Sequence, residues 1–120
     1  MNAKNQKLIL KRRRLLQKLA GLSFVTHGSY LERFSTCARK DCACHQGSKH
    51  GPRAYVVVYR DGRQRQVYVP QNQIAAVRKG VRQHEQALKL LRQITDINLA
   101  LMRKGLLDES LRTEQEGEGL

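Results

Sequence analysis

Tryptophan is absent from the 120 residues and phenylalanine occurs only twice. Any core must therefore be built from aliphatic side chains, and a chain this short buries only a modest fraction of its surface. A metal, a partner or self-association would supply stability that so small a core lacks. No apolar run approaches the roughly 20 residues that span a bilayer, which excludes a membrane-spanning helix. The opening MNAKNQKLILKRRRLL places charge ahead of any apolar stretch, and LIL is too short for the core of a signal peptide. Cysteine is scarce and odd in number, three in all, whereas a secreted disulfide framework uses an even count. Together these absences predict a cytoplasmic protein.

Acidic residues are also few. Residues 1–65 hold three Asp/Glu against fifteen Lys/Arg, while residues 66–120 hold seven against eight. A uniformly solvated surface does not concentrate its excess in one half of the chain. The pattern predicts a polyanion partner, nucleic acid ahead of membrane. The candidate nucleic-acid contacts among the cations of the first half are Lys7, Lys11, Arg12, Arg13, Arg14 and Lys18, then Arg33, Arg39, Lys40, Lys49 and Arg53, and last Arg60, Arg63 and Arg65. The run Lys11–Arg14 is expected to face solvent and touch phosphates, which confers affinity without sequence specificity.

What is present organises into four segments of one small domain, 1–120. Leu8, Leu15, Leu19 and Leu22 recur at helical spacing, widened by Ile9 and Leu16, and predict a basic helix over 1–22 that Gly21 can end. THGSY at 26–30 reads as loop. The stretch RAYVVVYRDGRQRQVYV at 53–69 holds two β-prone runs around Asp61-Gly62, the pair favoured in a two-residue type I′ turn. That turn sets Arg60 opposite Arg63, Val56 opposite Val67 and Tyr55 opposite Tyr68. Ala54, Val56, Val58, Val67 and Val69 then share one face, the expected core face. Tyr55, Val57, Tyr59, Gln64, Gln66 and Tyr68 share the other, and the tyrosines are assigned to cross-strand packing ahead of stacking on unpaired bases. The tip arginines suit either a β-ribbon in a groove or an edge protected by charge.

Pro70 closes the hairpin and suits a helix start. Ile74, Val77, Val81, Leu88, Leu91, Ile94 and Leu101 then mark a helix over 72–107, with a phase slip near Leu91–Ile94. It would be about 50 Å long, too long for so small a domain to cover, so this apolar seam is expected to meet helix 1, a second copy or another protein. Gly80 is a weak point within it, and Gly105 can mark its end. Residues 108–120, rich in acid and glycine, read as a flexible tail.

The remaining segment is CARKDCACHQGSKHGP, residues 37–52. Cys37-x4-Cys42-x-Cys44 with His50 supplies the four S/N ligands of a structural zinc, since thiolates and one imidazole can close a tetrahedron. His50 is the better fourth ligand than His45, which directly follows Cys44 and is harder to aim at the same ion. The spacing departs from paired C-x2-C patterns, leaving reduced thiols in a structural turn as the competing reading. A reactive thiol helped by Arg39 and Lys40 ranks third.

The stretch HGSYLERFSTCARKDCACHQGSKHGPRAYVVVYRDGRQRQVYVP resembles the signature of a family of small bacterial and archaeal proteins of unknown function. Gly28, Ser29, Arg33, Cys37, Cys42, Cys44, His50, Gly51, Pro52, Tyr55, Gly62 and Pro70 fit that pattern, and the resemblance spans roughly residues 27–105. Ala38 stands where glycine is usual and Arg53 where an aromatic is usual. Members are often encoded beside transposases, which implies a prokaryotic protein working with a mobile element, and the family supplies no catalytic residues. Glu32, Asp41, Glu85 and Asp96 are scattered through different segments, and no glycine-rich phosphate loop is present.

The expectation is thus an α+β protein built as basic helix, Cys/His knuckle loop over 27–70 with a two-stranded β-hairpin, and long C-terminal helix. It is expected to be no enzyme but a nucleic-acid-binding accessory subunit, for DNA or RNA, of a transposon or other mobile-element complex, with structural Zn2+. The alternative is an assembly module whose basic surface and long helix bind an acidic protein.

Overall fold

The computed structural model describes residues 2–35, 46–47 and 50–118. The chain is α+β, in the order α1 (Ala3–Ala20), β1 (Ser29–Ser35), β2 (His50–Arg60), β3 (Arg63–Val69), a 3-10 turn (Gln71–Gln73), α2 (Ile74–Arg103) and α3 (Leu107–Glu118). It divides into two compact units, one formed by Met1–Ser23 with Gln86–Leu120 and the other by Phe24–Glu85. Helix α2 contributes residues to both. No helix among the described residues is long and apolar enough to cross a membrane.

In the second unit, the hairpin forms in the register that its turn dictates, from Ala54 opposite Val69 to Arg60 opposite Arg63. Asp61 and Gly62 both take positive φ, 52° and 74°, as a type I′ turn requires. The hairpin is not alone. β1 pairs antiparallel with the other edge of β2, so the sheet has three strands in the order β1-β2-β3. This corrects the two-stranded expectation, and Ser29 and Tyr30 belong to the strand rather than to a loop. The polar pair on the helix-facing side hides it: Tyr30 donates its hydroxyl to Glu32 Oε1 at 2.8 Å, satisfying a carboxylate that otherwise breaks the apolar alternation of a half-buried strand.

The third strand changes what is buried. Of the expected core face, Ala54 and Val69 are buried, but Val67 on the edge strand is 45 % exposed. Val57 of the opposite face is only 3 % exposed, because β2 is now the central strand and its residues have neighbours on both sides. Gly80, a weak point of the helix by sequence, is in the fold a point of close approach. Its carbonyl accepts the Thr26 amide at 3.0 Å, and a Cβ there would lie 2.5 Å from Thr26 Oγ1. Nearby, the Phe24 amide donates to Gln83 Oε1 at 3.0 Å.

The first unit is helical. Asn2 caps α1 by accepting the Asn5 amide at 2.9 Å, as side-chain oxygens do at helix starts. Ile9 and Leu15 of α1 pack with Leu90, Ile94, Ile97 and Leu101 of α2, flanked by Leu8, Leu19, Leu106 and Leu107. Each such burial stabilises the fold by about 1.5–3 kcal/mol. Helix α2 ends at a left-handed Gly105, φ 71°. The Gly105 amide donates to Met102 and the Leu106 amide to Leu101, the two-bond C-terminal motif that glycine permits. The chain then turns directly into α3. The segment expected as a flexible tail from residue 108 is helix, with Asp108 and Glu109 in its first turn, where acids favour the helix dipole.

Arg12 joins these helices. Only 3 % exposed, its guanidinium donates to Asn98 Oδ1 at 2.9 Å, Ser110 Oγ at 3.1 Å and the Ser110 carbonyl at 3.2 Å. Glu114 Oε1 lies 3.8 Å away, while the other carboxylate oxygen accepts from Arg13 Nε at 3.2 Å. The expectation that Lys11–Arg14 all face solvent is therefore corrected at Arg12. A fork with several donors satisfies several acceptors at once, and those acceptors come from α2 and α3.

Arg12→Met should destabilise the protein by about 3–5 kcal/mol, because it strands buried partners of a charge. Lys11→Glu, on an exposed position, should stay within about 0.5 kcal/mol. Urea unfolding of the two variants beside the parent measures both, and equal stability of all three would refute the assignment.

Candidate functional site

With Arg12 committed to the fold and Arg13 sharing Glu114, the surface charge of α1 resolves into a stripe. Lys4, Lys7, Lys11, Arg14 and Lys18 are all exposed and recur at intervals of three and four, which places them along one face of a helix. The helix contains no acidic residue to offset them. The stripe runs about 21 Å along the axis at 1.5 Å per residue. Like charges at these spacings destabilise an isolated helix, so an external anion would relieve the repulsion. Lys4 is not among the cations that the sequence singles out; its phase relative to Lys7 and Lys11 is the signal that finds it.

In the second unit, the exposed arginines also meet each other. Arg60 lies opposite Arg63 at the hairpin tip, with Arg65 opposite Val58 on the same face. Arg33 lies opposite Arg53 on the other face, and all five are exposed. Two further cations act in packing: Arg78 sits 5.0 Å from the centre of the Tyr30 ring and Lys79 5.5 Å from that of Phe24. A cleft of about 310 Å³ is lined in part by Tyr30, Glu32, Arg53, Tyr68 and Gln71. Desolvation, then the bond to Glu32 and its charge, raise the Tyr30 phenol above its ordinary value, while Arg78 acts in the opposite direction. The phenol therefore stays neutral and donating near neutral pH.

Cys37, Cys42, Cys44 and His45, with Arg39, Lys40 and Lys49, lie outside the described residues. Among the described residues no three His, Cys, Asp or Glu side chains come together as a metal site. His50 is described as the first residue of β2, paired with Ser35 at the end of β1. The two residues that flank the cysteine-bearing segment are thus held at one end of the same ladder. His84 has its ring centre 4.4 Å from that of His27.

The apolar seam of α2 resolves into two sets. Ile74 and Val77 are half-buried and Val81 is buried in the second unit. Ile94 and Leu101 belong to the helical core of the first, so they are not a seam for a partner. The core positions Ala87, Leu90, Ile94, Ile97 and Leu101 follow intervals of three and four on their own phase, which accounts for the slip near Leu91–Ile94. Leu88 and Leu91 fall on a different phase and remain 38 % and 45 % exposed; Leu99 and Met102 continue that exposed line. Thr95, between them, turns its hydroxyl back to the Leu91 carbonyl at 2.8 Å.

No curated protein and no solved structure matches the chain. The profile of a domain of unknown function, DUF6788, matches residues 5–79, a span that takes in most of α1, the whole sheet and the first residues of α2. The chain belongs to the DUF6788 family.

Proposed function

We propose that the protein is a non-catalytic nucleic-acid-binding subunit. The observation that carries this reading is the cationic stripe of α1, five exposed Lys/Arg on one face of a helix without acids. Opposed arginine pairs on the sheet support it. Such arrays hold phosphates by charge and release counterions on binding. Placement beside a transposase or other mobile-element enzyme rests on the resemblance of residues 27–105 to proteins encoded near such elements. Structural zinc on Cys37, Cys42, Cys44 and His50 belongs to the same proposal; the Ser35–His50 pairing supports it by holding together the residues that flank the ligand-bearing segment.

A second reading has one observation in its favour. The exposed line of Leu88, Leu91, Leu99 and Met102 on α2 is an apolar surface of the kind that marks contact sites, and Lys89, Arg92 and Arg103 are exposed alongside it. An assembly module would use this line against an acidic partner or a second copy.

Reversing Lys7, Lys11 and Arg14 to Glu should weaken binding to a mixed-sequence duplex. The slope of log K against log salt should fall by roughly 0.7–0.9 for each phosphate that the variant no longer engages. Thermal stability should hold, since Arg12 is untouched. An unchanged slope would remove the nucleic-acid reading. The zinc site predicts about one equivalent of metal in purified protein, absent from Cys42→Ser and kept in His45→Ala. Metal-free protein of unaltered stability would exclude it. For the second reading, Leu88→Glu with Leu91→Glu should turn a self-associating protein into a monomer in sedimentation velocity without altering the salt slope. A monomeric parent would remove the second copy as occupant.

A further inference from the structure

The two faces of the sheet differ in chemistry. The register puts Tyr30 and Glu32 on the face with Ala54 and Val69, the side on which Arg78 of α2 stacks over Tyr30. The other face carries Leu31 and Arg33 from β1, Arg53, Tyr55, Val57 and Tyr59 from β2, and Gln64, Gln66 and Tyr68 from β3. Tyr59 and Tyr68 are 61 % and 57 % exposed, large values for rings on a sheet. Tyr55 meets Tyr68 edge-on from the neighbouring strand, centroids 6.1 Å apart and planes at 73°, and so braces it from the side. The cross-strand packing expected from the sequence thus accounts for Tyr55 and leaves most of Tyr59 and Tyr68 outside it.

Arg33 and Arg53 stand directly opposite one another at the end of this face near the cysteine segment. Like charges in that position destabilise a sheet, and none of the described residues on this face is acidic. A line from Arg53 through Tyr55 to Tyr59 covers about 20 Å of strand. Buried Val57 lies under its middle, and the amides of Gln64 and Gln66 lie along its side. Aromatic faces, amides and exposed guanidinium groups in one strip match a single ligand chemistry. Rings take unpaired bases, amides reach base edges, and arginines take phosphates. A duplex cannot use the rings, because its bases are already stacked.

We infer that this face is a stacking platform for single-stranded nucleic acid. Tyr59 and Tyr68 each hold an unpaired base, and the Arg33–Arg53 pair takes backbone phosphate. Tyr59 and Tyr68 lie about 13 Å apart along the strand direction, so they take bases that are not adjacent, and a ligand of about four nucleotides or more is needed to occupy both. This inference deepens the nucleic-acid reading and rests on it, but its residues are in the sheet, whereas that reading is carried by α1.

The test uses the full chain, a labelled oligo-dT of about 15 nucleotides, the matching oligo-U and a mixed-sequence duplex of equal length, at low salt. Because the chain has no tryptophan and four tyrosines, tyrosine emission reports stacking directly. Single strands should quench it and the duplex should not. Tyr59→Ala and Tyr68→Ala should each lower single-strand affinity roughly tenfold, leaving duplex affinity and melting temperature unchanged. Tyr59→Phe and Tyr68→Phe should restore binding, since the ring is what stacks. Quenching by either the dT or the U probe supports the platform, and the stronger of the two shows whether it favours the DNA or the RNA probe. If the alanine variants bind single strands as the parent does, or weaken single-strand and duplex binding equally, the platform is refuted while the α1 reading stands on its own salt slope. If the parent binds neither single strand nor duplex, both readings fall together.

Discussion

The buried guanidinium of Arg12 is the interaction on which the helical unit depends. It sits on α1 yet bonds Asn98 of α2 and both the hydroxyl and the carbonyl of Ser110 in α3. Ser110 is itself fully buried and returns its hydroxyl proton to the Leu107 carbonyl at 2.6 Å. A cation removed from water needs several partners to offset its lost hydration, and three helices must be in place at once to provide them. The surrounding leucines and isoleucines supply the burial energy but would tolerate small slides. The fork geometry of Arg12 does not, and so it fixes the relative positions of α1, α2 and α3.

That constraint also sorts the charges. Glu114 is drawn toward Arg12 and Arg13, so an acidic side chain of the C-terminal segment neutralises the inner part of the N-terminal basic cluster. The cations left exposed on α1 are those with no such partner in phase among the described residues: Lys4, Lys7, Lys11, Arg14 and Lys18. Lys104 is likewise engaged, donating to Asn5 Oδ1 at 2.8 Å. What looks in the sequence like one undivided basic run is, in the fold, a structural guanidinium beside a surface stripe. The proposed nucleic-acid role rests on the stripe.

Similar sorting holds in the sheet. Arginine–arginine pairs at Arg33–Arg53 and Arg60–Arg63 set like charges opposite one another, and they occupy exposed positions where an anion can reach them. The tyrosines divide in the same way. Tyr30 is engaged by Glu32 and Arg78, Tyr55 by Tyr68, and Tyr59 and Tyr68 project outward.

The hairpin's turn and register are legible because their determinants are local: Asp61-Gly62 sets the turn, the turn sets the register, and strand alternation assigns which residues share a face. Both long helices are legible for the same reason, through spacings of three and four, and Gly105 is recognisable as a terminator. The sequence by itself also determined the excess of cations before residue 66 and the clustering of the cysteines. Tertiary structure decided the rest. β1 needs the free edge of β2, a partner about twenty residues away, and its Tyr30–Glu32 bond hides the apolar alternation that would have revealed it. The seam of α2 split because its two halves are buried in different units, which one hydrophobic period cannot express. The acidic segment after residue 107 became helix because Ser110 and Glu114 complete the coordination of Arg12, and Arg12 went inward because they were there. An arginine in a basic run carries no local mark of burial; only the acceptors brought to it by distant segments give it one.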